Sequence, residues 1–259
     1  MDNLPNNTTT QLDCTDKYIA VVSGANRGIG LEFIKQLSRQ QNTILIALVR
    51  PSCSLNELIQ LNNQYHNIHT VYIELDNSDT IISACQHIHK LVTHINLLIN
   101  CAGYAGLRNY EDQPLSIDLN DLMLVFQINT VAQLQLIQLL HDLLVNTNNN
   151  NSQRCVVILN LSSRTASPQH AIHYGGCASY RISKISLNML SAELCHEDKQ
   201  CIYIPISPGH VITDMGRLSG RTPTLSAHDS VQGMLGVVNT VKLDDSGKFY
   251  NYDGSIIQY

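Results

Sequence analysis

The chain has 259 residues, 44% of them hydrophobic and 14% charged, with a formal net charge of −5. This balance excludes a disordered chain. With no Lys/Arg-rich block it also argues against nucleic acid as a partner, because phosphate binding needs a basic surface. No stretch reads as long and apolar enough to span a bilayer, so no membrane partner is expected. Eight Cys without a C-x-x-C pair point to reduced structural thiols in a cytoplasmic setting.

Residues 1–16 are polar, rich in Asn and Thr and without an apolar core, so they read as a disordered tail rather than a secretory signal. From residue 17 to 259 the elements alternate within one domain. Tyr18–Ser23 is an apolar, β-branched run bounded by glycine and predicts a strand. Residues 28–39 follow with Ile29, Phe33, Ile34 and Leu37 at helical spacing. Thr43–Val49 and residues 71–75 read as buried strands. Ser78 reads as the N-cap of a helix with Ile81, Ile82, Cys85, Ile88 and Val92 on one face. Strands are expected at 95–99, 155–161, 202–206 and 249–252, and helices at 122–145, 179–195 and 226–238. The run from Asn146 to Ser152 reads as a solvated connector between a helix and a strand.

Strands this apolar leave no face for water, so the alternation implies a mainly parallel sheet of about seven strands covered on both sides. That is the doubly wound, Rossmann-type α/β architecture. Ser23-Gly24-Ala25-Asn26-Arg27-Gly28-Ile29-Gly30 lies where the first strand becomes the first helix. Glycines there permit a tight turn and close approach to a pyrophosphate, and the helix N-terminus offers free N–H groups. The second strand ends in Val49-Arg50 rather than in an acid that would accept from ribose hydroxyls. Arg27 and Arg50 together would attract a 2′-phosphate, so NADPH/NADP is expected as the cofactor.

Tyr180-Arg181-Ile182-Ser183-Lys184 falls in a helical pattern that puts the phenol and the ammonium on one face. A neighbouring cation favours the phenolate and is expected to lower the Tyr180 pKa toward working pH. In a chain with 11 Tyr such a pair is weak alone. Its weight comes from Ser162-Ser163 at a strand end and from Asn129, an amide inside an apolar helix that needs a partner.

With these residues the chain resembles the short-chain dehydrogenase/reductases from about Lys17 onward. Gly24, Gly28 and Gly30 resemble the family's glycine motif, and Asn100-Cys101-Ala102-Gly103 its Asn-Asn-Ala-Gly segment. Asn129, Ser163, Tyr180 and Lys184 stand where its catalytic tetrad would be. Pro208, Gly209, Val211 and Thr213 resemble the segment that closes over the nicotinamide, and Asp76 the residue at adenine. Asn26-Arg27 in the turn, Ser162-Ser163-Arg164, Thr213-Asp214-Met215-Gly216 and Ser246-Gly247-Lys248-Phe249 are similar to the C-factor and sniffer-like carbonyl reductases.

The resemblance implies NADPH-dependent reduction of a small-molecule aldehyde or ketone. Ser163 would hold the substrate oxygen, Lys184 would bind the ribose and tune Tyr180, and Asn129 would position a water. Cys101 departs from the pattern, and the long loop before Tyr180 leaves Ser167 as a rival to Ser163. His170 and His173, three apart with no third ligand in view, read as surface residues rather than a metal site. Tyr174 and His210 are expected to line the substrate pocket, and residues 215–227 to form a mobile lid. A homodimer through the long helices stays open. So do an NAD-dependent alcohol dehydrogenase and a non-catalytic cofactor-binding signalling protein of the same fold.

Overall fold

Seven strands lie side by side in the order β3-β2-β1-β4-β5-β6-β7, and every strand pairing is parallel. They are β1 (Tyr18–Ser23), β2 (Thr43–Val49), β3 (Ile68–Tyr72), β4 (Leu97–Asn100), β5 (Val156–Leu161), β6 (Cys201–Ser207) and β7 (Tyr250–Asn251). The computed structural model describes residues 10–107, 111–146, 155–172, 175–218 and 221–259. The expected Rossmann-type domain is the one observed.

Alternate residues of each strand serve opposite faces, as the period of two requires. Ile19, Val21, Ile44, Ile46 and Leu48 pack with helix α3 (Ser78–Leu91) and helix α5 (Ala132–Asn146). Ala20, Val22, Leu45, Ala47 and Val49 pack with α1 (Gly28–Leu37) and α9 (Ala227–Thr240). Both faces are therefore covered, which explains why the strands read as unbroken apolar runs.

Several boundaries differ from the sequence reading for physical reasons. β3 begins at Ile68 because its register pairs Leu45 with Ile68 and Val49 with Tyr72; polar His69 and Thr70 hide that start. Helix α2 (Asn56–Tyr65) buries only Leu58 and is polar overall, so it does not read as a core element from composition. Asn77, not Ser78, caps α3, its side chain accepting from Asp79 N–H at 3.0 Å. Residues 10–16 are not a free tail: Cys14 is buried in the core and Leu12 N–H donates to Leu91 O at 2.8 Å. Residues 1–9 and 147–154, which hold the rest of the expected tail and most of the expected connector, lie outside the described residues.

The expected helix 122–145 is α4 (Leu119–Phe126), a π-helical turn at Gln127–Val131, and α5. These 28 residues are long and apolar enough, by length and composition alone, to cross a membrane, which corrects the sequence expectation. Leu136, Ile137, Leu140 and Leu144 of this stretch are buried against the sheet, so its apolar face serves the core.

Two buried amides link the sheet internally and to the helix that follows β5. Asn100 Nδ2 donates to Asn160 Oδ1 at 2.8 Å, and Asn160 Nδ2 donates to Ser191 Oγ at 2.9 Å, all buried. Replacing Asn160 by Ala strands the Asn100 amide, so Asn160→Ala is expected to lose about 1–3 kcal/mol in urea unfolding. A loss below about 0.5 kcal/mol would mean that the pair stabilises little.

Candidate active site

The strand order reverses between β1 and β4, and a crevice opens at that point beyond the carboxyl ends of the strands. A cavity of about 550 Å³ occupies it. Segments following four successive strands of the sheet line it: Gly24 to Gly30 after β1, Arg50 and Ser52 after β2, Ile73 to Asp76 after β3, and Cys101 to Tyr104 after β4.

The glycine turn has the geometry a nucleotide phosphate needs. Gly24 lies at φ +69°, and a Cβ there would stand 3.0 Å from Ala102 Cα. A Cβ on Gly30 would meet Gly24 O at 2.2 Å, so only glycine lets the turn fold onto itself. Arg27 occupies the N-cap of α1 without a side-chain cap bond. The helix start therefore keeps N–H groups and a positive dipole end for an anion. Ser23 Oγ accepts from Cys101 N–H at 3.0 Å and Ala102 N–H at 3.1 Å, tying β1 to the segment after β4.

Of the expected cofactor residues, Gly24, Asn26, Arg27, Gly28, Ile29, Gly30, Arg50, Asp76, Ala102, Gly103 and Thr213 line this cleft. Asn100 does not: its side chain is buried in the sheet, with Nδ2 given to Asn160 and Oδ1 finding no partner among the described residues. Pro208, Gly209 and Val211 form the bend before Thr213; Val211 is buried and bridges Leu225. Arg27 pairs with Asp214 at 2.8 Å, an exposed contact that joins the glycine turn to the start of α8 (Asp214–Arg217). The sequence reading gave Arg27 only to a phosphate. Thr213 caps α8, its Oγ1 accepting from Gly216 N–H at 3.1 Å. His210 holds Gly216 O at 3.0 Å through Nε2 and so braces α8. Within the expected lid, Ile212 N–H donates to Leu225 O at 2.8 Å and Leu225 N–H to His210 O at 3.2 Å, which clasps its base. Ser219, Gly220, His173 and Tyr174 lie outside the described residues.

Tyr180 and Lys184 are carried by α7 (Ala178–Glu197), one turn apart. Lys184 is 2% exposed, and its Nζ donates to Leu161 O at 2.6 Å at the end of β5. The same Nζ lies 5.7 Å from the Tyr180 ring centroid. Asn129 sits in the π turn and is fully buried. Its Oδ1 accepts from Tyr104 N–H at 2.8 Å, while Nδ2 donates to Tyr104 O at 2.8 Å and Ser183 Oγ at 2.9 Å. The amide is thus spent on holding the Tyr104 loop. Gly103 joins the cleft to these groups: a Cβ there would stand 3.4 Å from Asn129 Oδ1 and 3.6 Å from Lys184 Nζ.

Burial dominates the ionisation of the pair. The Tyr180 phenol is pushed up to about 12 chiefly by burial, with the nearby Cys177 and Cys101 thiols acting the same way and a hydrogen bond to Ser163 acting against. This is opposite to the lowered value expected from the sequence, because loss of water outweighs that one stabilising contact. Burial likewise brings Lys184 down to about 8. Cys101 is held up near about 12 by the same cause.

Ser163 is half-buried, its Oγ lying 2.8 Å from Thr165 Oγ1 and accepting from Thr165 N–H at 3.2 Å, close enough to Tyr180 to favour its phenolate, whereas Ser167 is fully buried and its Oγ finds no partner among the described residues. His170, read as a surface residue, accepts from Arg164 Nε at 3.2 Å through Nε2. Asp112 has no sequence signal at all: from a distant loop its buried carboxylate accepts from Ser179 N–H at 2.8 Å and anchors the start of α7. Asp121, also buried, accepts from Leu107 N–H at 2.7 Å and holds the other end of the Tyr104 loop.

The short chain dehydrogenase family model matches residues 18–223. The chain belongs to this family and is an oxidoreductase of it. An uncharacterized oxidoreductase of Schizosaccharomyces pombe is 26% identical over 262 residues, covering 95% of this chain and 99% of that one. Carbonyl reductase from chicken fatty liver, solved with NADPH bound, superposes with a TM-score of 0.85 at 30% identity, over 94% of each chain. The carbonyl reductase Sniffer of D. melanogaster gives 0.84 at 26% identity, over 94% of this chain and 99% of that one.

The two serines are separable by substitution. Ser167→Ala removes a hydroxyl with no partner among the described residues, so turnover should stay within about twofold and stability within about 0.5 kcal/mol. Ser163→Ala should lower kcat by about tenfold or more. Unchanged turnover in the second variant would remove Ser163 from the site.

Proposed function

We propose that the protein is an NADPH-dependent carbonyl reductase acting on an aldehyde or ketone, with Tyr180 as general acid/base. The observation that carries this reading is that Tyr180, Lys184, Ser163 and Asn129 cluster behind Gly103, which lines the cleft of the glycine turn and lies close to Asn129 Oδ1 and Lys184 Nζ. The residues of that cleft suit a dinucleotide: a turn tightly packed at Gly24 and Gly30, an open helix start and a strand-end arginine.

When bound, the reduced nicotinamide supplies hydride to the carbonyl carbon. The chain's own residues handle the proton and the developing charge. Tyr180, kept protonated by burial, donates its proton to the carbonyl oxygen. Ser163 offers a second donor to the same oxygen. The Lys184 ammonium stabilises the phenolate left behind, held in place by Leu161 O. Asn129 keeps the Tyr104 loop in position beside it. NADPH rather than NADH is supported by Arg50, exposed at the end of β2 and lining the cleft. With Arg27 engaged by Asp214, Arg50 carries most of the attraction for a 2′-phosphate.

Tyr180→Phe should lower kcat for carbonyl reduction by roughly 10²–10⁴ while NADPH still binds, as followed by NADPH absorbance and fluorescence. Equal turnover would defeat the mechanism. Because Lys184 must carry its charge and its pKa lies near about 8, kcat/KM should fall as pH rises above that value, well before Tyr180 ionises. A profile flat to about pH 10 would count against this role. Arg50→Ala should cut the NADPH-to-NADH selectivity ratio by about tenfold or more. An unchanged ratio would place the phosphate elsewhere.

A further inference from the structure

A second cavity, of about 640 Å³, opens at the same carboxyl edge of the sheet, between the segments that follow β5 and β7. Arg164 and His170 line one side of it, and Asn251, Asp253 and Ser255 the other. Arg164 directly follows Ser163, so this cavity begins one residue from the site described above.

Arg164 is anchored twice. Its backbone N–H donates to Ser207 Oγ at 3.0 Å, fixing it to the end of β6. Its Nε donates to His170 Nε2 at 3.2 Å, which orients the guanidinium and requires that the neutral ring carry its proton on Nδ1. Among the described residues no carboxylate forms an ion pair with it. Asp253, the one acidic group in the described lining, turns back on its own loop, where Oδ1 accepts from Ser255 N–H at 3.0 Å and Ser255 Oγ at 2.6 Å. The cavity thus presents an oriented guanidinium whose terminal nitrogens have no acidic partner among the described residues, in a protein whose net charge is −5.

We propose that this cavity is a substrate subsite for a carboxylate: the carbonyl compounds reduced at Tyr180 carry an acid group at their far end, and Arg164 receives it. The inference rests on the reductase reading and deepens it. A planar carboxylate matches the two terminal nitrogens of a guanidinium, and His170 has already paid the cost of orienting them. The charge of Asp253 in the same cavity disfavours a doubly charged group such as a phosphate monoester.

The test is reduction of ω-oxo alkanoic acids of increasing chain length, each against its methyl ester, followed by NADPH absorbance. At the chain length that spans the two sites, the acid should exceed its ester in kcat/KM by about tenfold or more. In Arg164→Gln that ratio should fall toward one. Esters reduced as well as acids throughout, or a ratio unchanged in the variant, would overturn the subsite and leave the reductase reading standing. No reduction of any acid or ester would overturn both. A second measurement needs no variant: benzoate should inhibit ester reduction by the wild-type protein about tenfold more strongly than benzamide. Equal inhibition by the two would overturn the subsite.

Discussion

Lys184 Nζ rests on the carbonyl of Leu161 at the end of a strand, out of contact with water. A buried ammonium is costly unless it is bonded, and most of what surrounds the site follows from satisfying it and its neighbours. β5 must end where its last carbonyl can accept, and α7 must cross that end so that Lys184 reaches it. Tyr180, one turn earlier on the same helix, is then carried to the same edge beside Ser163. Asp112 holds the start of that helix from a remote loop, and the Asn129 amide holds the Tyr104 loop against it.

The other half of the crevice depends on close approach rather than on charge. The turn after β1 folds back so tightly that Gly24 and Gly30 have no room for a Cβ, and the Ala102 segment lies directly against it. Gly103 is the hinge point between the two halves: it borders the cleft and lies near both Asn129 and Lys184. One polar system therefore runs from the glycine turn to the helix that bears the tyrosine, through Ser23, the segment after β4 and the π turn.

Much of this was legible in the sequence. The strand β2 and the glycine turn were marked by unbroken apolar residues and by glycines at fixed offsets, both local signals. Tyr180 and Lys184 could be paired because residues one helical turn apart share a face, and the resemblance to the short-chain dehydrogenase/reductases added Ser163 and Asn129. Less legible were features whose cause is distant in the chain. The helix α2 buries one leucine and is otherwise polar, so it lacks the apolar content that marked the other elements. Asp112 sits in a loop, Asp121 in the first turn of α4 and Arg164 at the start of a short 3-10 turn, and their partners lie at Ser179, Leu107 and His170. The π turn at Asn129 is invisible to a reading that assumes an even helical period.

The amino-acid sequence alone determined the layered α/β architecture, since hydrophobic periodicity and turn chemistry are properties of short segments. It also supplied the residue types from which the proposed phosphate and proton chemistry is built. Only the tertiary structure decided their ionisation and their pairing. Tyr180 stands high and Lys184 low because both are removed from water, and burial depends on elements far apart in the chain. Arg27 is engaged by Asp214 and Arg164 by His170 for the same reason: a side chain's partner is fixed by the fold that brings the two together.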